Sequence, residues 1–313
     1  MTNTKNTLES PFVFRNGMII KCDNDDKNIC ISSYLRMAYS GKIDHVQLLI
    51  MDMLYEYGYA TRHTITSVIK DTKDECKSVI HKLCNYGLIR KYHIEYKDSG
   101  SDFMRKTIDY YGLSGVGIQI CKIKNKSGKL SLTKTMSNFF NSSSSDIDSA
   151  ANILKLLAVN NFITHFLNDY DNMIQHKYSN LLIKHNNILI KQRAAYLMQP
   201  DIDKRQILIV PFAVRRTAGW INEIKIIIKL YSDFFNELVK QRFSLLYILI
   251  VEDNSMAIEA NESLKKSNDL TGISYLYISD WLSNNDDVLD NLIYVHDNND
   301  YNIVHLPIEP SLS

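Results

Sequence analysis

The apolar positions of this 313-residue chain change period along its length, and the changes divide it. From Asp44 onward, Val46, Leu49, Ile50, Met53, Leu54 and Tyr57 recur at i, i+3, i+4, i+7, i+8 and i+11. That is one stripe of an amphipathic helix, and Gly58 stops it. A second, shorter helix is predicted around Arg62 to Ile69. In a third, Cys76, Val79, Ile80, Leu83 and Cys84 form the buried stripe, and Thr72 and Glu75 make an S/T-x-x-E capping box. Gly87 ends it in the left-handed conformation that glycine adopts at little cost. Two β-rich runs follow, "LIRKYHIEY" (88–96) and "FMRKTIDYYGL" (103–113), around the polar tip "KDSGSD" (97–102). Three helices and a hairpin in that order predict an N-terminal winged helix-turn-helix over 44–113. The preceding 1–43 read as an extension, with "FVFRNGMIIKC" (12–22) a small hairpin about Asn16-Gly17.

Residues 114–145 read as a linker by composition, from "KNKSGKLSLTK" to "SSSS". Beyond it, 146–313 predict a second domain. "DIDSAANILKLLAVNNFITHFLNDY" (146–170) is a long helix, and "SNLLIKHNNILIKQRAAYL" holds a pair of strands. "RQILIVPFAV" (205–214) is a third strand. A helix from about Gly219 to Gln241 sets Ile221, Ile224, Ile227, Ile228, Tyr231, Phe234 and Leu238 on one face. "SLLYILIVE" (244–252) reads as a buried central strand, followed by helix "SMAIEANESLKK", strand "ISYLYIS" and a last hairpin in "NLIYVHDNNDYNIVHLPI". The order α-β-β-β-α-β-α-β predicts an α/β domain with a mixed sheet, the core order of restriction-endonuclease-like nucleases.

Charge changes the picture more than composition does. Hydrophobic residues make up 45% of the chain, enough for a sizeable core. Lys122, Lys124, Lys126, Lys129 and Lys134 fall between Cys121 and Ser145 with no acid among them, whereas no Lys or Arg follows Lys266. A basic middle and an acidic end expect a polyanion to be met by the first half. The five cysteines are odd in number and never spaced C-x-x-C, and the nine histidines lack paired ligand spacing. Both facts point to reduced thiols in a cytoplasm and away from disulfides or zinc. There is no secretory pattern at the N-terminus and no apolar run of membrane length, so no membrane partner is expected.

A nuclease site needs acids on adjacent strands to hold a divalent cation, with a lysine beside them. Glu223-Ile224-Lys225 fits the string, with Asp201 or Asp203 upstream, but it lies in a helix, where residues two apart do not share a face. "ILIVPFAVRR" offers only Arg215 and Arg216 at its end. Phosphate-binding glycine loops and a nucleophile elbow are also absent from the sequence. No catalytic residue, metal ligand or cofactor is therefore expected.

The winged helix carries the functional expectation. The third helix turns Lys73, Asp74, Lys77, Ser78, His81 and Lys82 outward, where a recognition helix meets base edges in the major groove. Lys77, Ser78 and His81 suit bases, and Lys73 and Lys82 phosphates. Arg62 and His63 stand ready to clamp the backbone, and Lys97, Arg105 and Lys106 to reach from the wing. Against this, 44–113 carry as many acids as bases, which is the pattern of a protein-docking module.

A winged helix, a linker, a helix such as "ANILKLLAVNNFITHFL" and a nuclease-like domain resemble the replication-relaxation family. Its members are proteins of plasmids and other mobile elements implicated in replication or conjugative mobilisation. The likeness spans about 44 to 280. "KQRAAYLMQP" has Arg193 where an Asp is expected, and "IVPFAVRRT" has no acid. The resemblance therefore implies a decayed nuclease fold serving as scaffold, dimerisation element or added DNA contact. The combined expectation is a cytoplasmic, site-specific binder of double-stranded DNA, a homodimer that meets replication or transfer proteins. A transcriptional regulator, a metal-dependent endonuclease and a docking module are the alternatives.

Overall fold

A computed structural model describes residues 10–23, 30–69, 73–97, 104–127, 149–185, 188–199, 206–239, 243–267, 274–280, 282–284, 288–296, 298 and 300–306. The chain is mixed α/β and splits into two compact units, one from Arg15 to Ile153, the other from Leu154 onward together with the segment ending at Phe14.

In the Arg15–Ile153 unit, β1 (Ile19–Cys22) and α1 (Ile31–Tyr39) precede α2 (His45–Tyr57). Asp44 caps α2 by accepting from Gln47 N at 2.8 Å, and the Gln47 side chain returns to the Asp44 amide. Gly58 closes the helix at φ +76°, its N–H bonded to Leu54 O. Then come β2 (Tyr59–Thr61), α3 (Arg62–Ile69), α4 (Lys73–Asn85), β3 (Ile89–Lys97) and β4 (Met104–Leu113). At the end of α4, Leu88 N reaches back to Leu83 O at 3.0 Å with Gly87 at φ +68°, a glycine-closed helix end. The sheet order is β1-β3-β4-β2, and every pairing is antiparallel. Ile50, Leu54, Ile65, Cys76, Leu83, Leu88, Ile89 and Ile94 are fully buried between helices and sheet.

Several expectations change here. The buried face of α2 is broader than the stripe: Gln47, Met51 and Tyr55 are buried, while Leu49 is 40% exposed. The turn about Asn16-Gly17 forms, with Met18 N donating to Arg15 O at 3.3 Å and Gly17 at φ +79°, but β1 pairs with the edge of β3, which still has a free row of amides there. The region read as linker opens with a helix, α5 (Gly115–Ser127), whose Gly117 N donates to Ser114 Oγ at 3.0 Å. Ile118, Ile120 and Cys121 are buried, so its lysines ride on an amphipathic helix. Thr72 and the Glu75 side chain of the expected capping box lie outside the described residues, as do 128–148.

In the other unit, α6 (Ala150–Tyr170) has its first turn at the division between the two. It is followed by β5 (Ile174–His185), β6 (Ile188–Met198), β7 (Gln206–Ala213), α7 (Trp220–Val239), β8 (Phe243–Val251), α8 (Asn254–Lys265), β9 (Ser274–Ser279), β10 (Leu292–Val295) and β11 (Tyr301–Val304). The α-β-β-β-α-β-α-β order and the closing hairpin are both present. One mixed sheet runs β11-β10-β9-β8-β7-β6-β5. Strands β7, β8 and β9 are parallel, and the other pairings are antiparallel. The parallel steps need crossovers, which α7 and α8 supply. Alternation along β7 sends Leu208, Val210 and Phe212 into one core with Ile224, Ile228, Met256 and Leu264. On the opposite face Tyr196 meets Phe166 of α6 at a ring distance of 5.1 Å.

Candidate nucleic-acid interface

The candidate surface begins with α4. Its inner side is fixed by Cys76, Val79, Ile80 and Leu83, each at most 5% exposed. With that stripe anchored, the 3.6-residue period leaves Lys77, Ser78, His81 and Lys82 exposed together on the outer side. The Lys73 and Asp74 side chains lie outside the described residues. Arg62 and His63 are exposed in the first turn of α3, which Thr61 caps by accepting from Thr64 N at 3.1 Å. On the β3–β4 hairpin, Lys97 and Arg105 are exposed near the tip, whose residues 98–103 are outside the described set.

Two features of the hairpin were not legible beforehand. Arg15 places its guanidinium 4.7 Å from the Tyr96 ring centre, adding a third cation to this end of the sheet. Lys106, expected to reach a minor groove or its phosphates, holds its ammonium 2.7 Å from Asp109 Oδ1 and shares its charge with that acid. A one-residue irregularity between His93 and Glu95 sets Lys106 and Asp109, three residues apart, on the same face. That face is a charge network. Lys21 pairs with Glu95 at 2.7 Å, and Lys91 bridges Asp23 at 3.1 Å and Asp109 at 3.0 Å. Burial pushes the Asp23 and Asp109 carboxyls up, but hydrogen bonds and charge from the lysines outweigh it and hold both below their ordinary value.

In the α6–β11 unit, charges collect at the carboxyl ends of the parallel strands, where ligands of open α/β sheets bind. Arg215 and Asp280 are wholly buried and meet at 3.0 Å. Arg215 also donates to Val214 O and Leu154 O, and Ser10 Oγ donates to Asp280 Oδ2 at 2.6 Å. Glu252 accepts from Phe14 N at 2.8 Å, and burial pushes its carboxyl up. Arg216 holds Glu259 at 2.8 Å and Asp253 at 3.1 Å. The segment at 10–14 is thus hydrogen-bonded into the place a ligand would take. Neither β6 nor β7 carries an acid. Glu223 takes both hydrogen bonds from Lys155 Nζ, at 2.6 and 2.7 Å, and Asp201 and Asp203 lie outside the described residues. Among the described residues these groups form interlocked ion pairs and loop clasps.

Asp253 gives a test of that network. It caps α8 through Met256 N at 2.8 Å. Burial raises its carboxyl, and Ser255, Met256 N and Arg216 more than offset that, leaving it lowered. A lowered carboxyl contributes stability that is present above its unfolded value and lost as pH falls through the folded one. Asp253→Ala is expected to cost ~0.5–2 kcal/mol at neutral pH. The cost should shrink as pH falls below about 4. Urea unfolding at pH 7 and pH 3 measures both, and an equal cost at the two values would contradict the assignment.

No family model matches the chain, and no curated protein matches it. Among solved structures it is similar to that of restriction endonuclease FokI, with 12% identity and a TM-score of 0.28. The match covers 82% of this chain and 44% of the other, so the chain spans less than half of that structure. A likeness at this distance carries no argument about either fold or function. Among the described residues no helix is long and apolar enough to cross a membrane.

Proposed function

We propose that the chain is a site-specific binder of double-stranded DNA, with α2 to β4 acting as a winged helix-turn-helix. The observation that carries this reading is the cluster Lys77, Ser78, His81 and Lys82, exposed on one side of a helix whose other side buries Cys76, Val79, Ile80 and Leu83. A helix held that rigidly presents its outer face to a groove at little entropic cost. Arg62 and His63 suit phosphates at one flank, and Lys97, Arg105 and Arg15 suit those at the other. The α6–β11 unit is then a nuclease-like scaffold, used for dimerisation or for recruiting replication or transfer proteins, as the replication-relaxation resemblance implies. A protein-docking role is the second reading. The carboxylates Asp23, Glu95 and Asp109 on the wing sheet favour it, since they would repel a phosphate backbone.

Selection from a random duplex pool at two salt concentrations, with and without magnesium, tests the proposal. The expected result is an enriched repeat, bound uncut and weakened by salt. Lys77→Ala and His81→Ala should each lose ~1–3 kcal/mol on the selected site and less on random DNA. Arg105→Ala should weaken all sequences alike and lower the salt slope by about 1. No enrichment at either salt concentration would transfer the surface to protein docking.

A further inference from the structure

We propose that Asp23, His93 and Asp109 form a binding site for a divalent transition-metal ion of the zinc or manganese class. The register of β1, β3 and β4 places Lys21, His93 and Asp109 in one row across the sheet, and Asp23 follows just past the end of β1. One ligand atom from each of the three residues lies within 4.8 Å of the other two. An ion bound by all three would take the ~2.0–2.2 Å distances of an imidazole and carboxylates around zinc.

The histidine is what separates this cluster from an ordinary group of paired charges. His93 is 8% exposed, and its Nε2 lies 2.8 Å from Glu95 Oε1. An ionised carboxylate only accepts, so Nε2 donates to Glu95, and in a metal-bound imidazole Nδ1 supplies the lone pair. Nδ1 is buried, makes no hydrogen bond, and stands 2.6 Å from Asp23 Oδ1. Atoms that close are held together by a cation between them, a proton or, when one is bound, a metal ion that takes the proton's place. A carboxylate that orients the far nitrogen of a ligating histidine is the usual support of such a site, and Glu95 stands in that position. One imidazole with two carboxylates suits zinc or manganese, whereas magnesium prefers oxygen alone.

Lys91 occupies part of the same space, its ammonium 3.1 Å from Asp23 Oδ2 and 3.0 Å from Asp109 Oδ2. It is a built-in competitor. Its side chain is 29% exposed and that of Lys106 44%, so both ammonium groups have a short path to water when an ion enters. A bound ion would tie the end of β1 to β3 and β4. Its site does not depend on whether the outer face of α4 reads DNA.

The experiment uses the full chain, stripped with a chelator and titrated with zinc chloride against a chromophoric competitor, then with cobalt(II) to record its absorption. One zinc ion per chain is expected, with a cobalt spectrum lacking sulfur charge-transfer bands. His93→Gln and Asp109→Asn should abolish binding, and Glu95→Gln should weaken it ~10–100-fold. Lys91→Ala should tighten it, a gain that a misfolded protein cannot imitate. Absence of zinc binding to the unaltered chain, thiolate bands in the cobalt spectrum, affinity unchanged in His93→Gln, or no tightening in Lys91→Ala would each overturn the proposal.

Discussion

Arg215→Ala is expected to destabilise the α6–β11 unit by ~3–5 kcal/mol, the cost of stranding one member of a buried ion pair. The guanidinium and the Asp280 carboxylate are both completely buried and 3.0 Å apart. Removing the arginine takes the guanidinium from a carboxylate that also accepts from Ser10 Oγ, and withdraws donors from Val214 O and Leu154 O. Burial already pushes the Asp280 carboxyl up, opposed by Arg215, so without Arg215 the acid will be taken up neutral or not at all. A lower urea midpoint with an unchanged slope is the expected signature. The double substitution Arg215→Met with Asp280→Leu should recover most of the loss, because an apolar pair leaves nothing uncompensated. A single-variant cost below about 1 kcal/mol would mean that water reaches the pair, as at an exposed salt bridge.

Leu54→Ala is expected to cost the Arg15–Ile153 unit ~2–5 kcal/mol, through lost transfer energy and the cavity it leaves. Leu54 is fully buried on α2, the helix against which α3, α4, α5 and β4 all pack. Leu49 on the same helix is 40% exposed, and Leu49→Ala should stay within ~0.5 kcal/mol. The two leucines were indistinguishable in the apolar stripe, so thermal unfolding of the pair tests the observed placement of α2. If DNA binding is carried by α4, Leu54→Ala should leave affinity intact in the cold and lose it in parallel with unfolding. Equal costs at the two positions would show that α2 is rotated from the orientation described.

Most of the secondary structure was legible, for a local reason. Helix periodicity and glycine stops are written in neighbouring residues, as Gly58 and Gly87 show by closing α2 and α4 at positive φ. The apolar run at 244–252 could be read as a central strand because a strand covered on both faces has no polar side to show. Errors fell where a segment's partner is distant in sequence. Residues 12–22 do turn at Asn16-Gly17, but β1 pairs with the edge of β3 in place of a local partner strand. The start of the linker looked polar because its lysines stand out, while Ile118, Ile120 and Cys121 bury the other side of α5.

The candidate surface divides in the same way. The outward row of α4 follows from its buried stripe by period alone, and the order of residues already sets Lys77, Ser78, His81 and Lys82 on one face. It likewise determined that β6 and β7 carry no acid. Which charges meet is set by the three-dimensional fold. Lys106 turns to Asp109, Arg15 lies over Tyr96, Arg215 finds Asp280, and Asp109 of β4 and Asp23 just past β1 converge on His93. The reason is physical. Helical period acts over a few residues of one chain segment, whereas strand register, which brings Asp23, His93 and Asp109 side by side, is set by burying one whole face of a sheet at once.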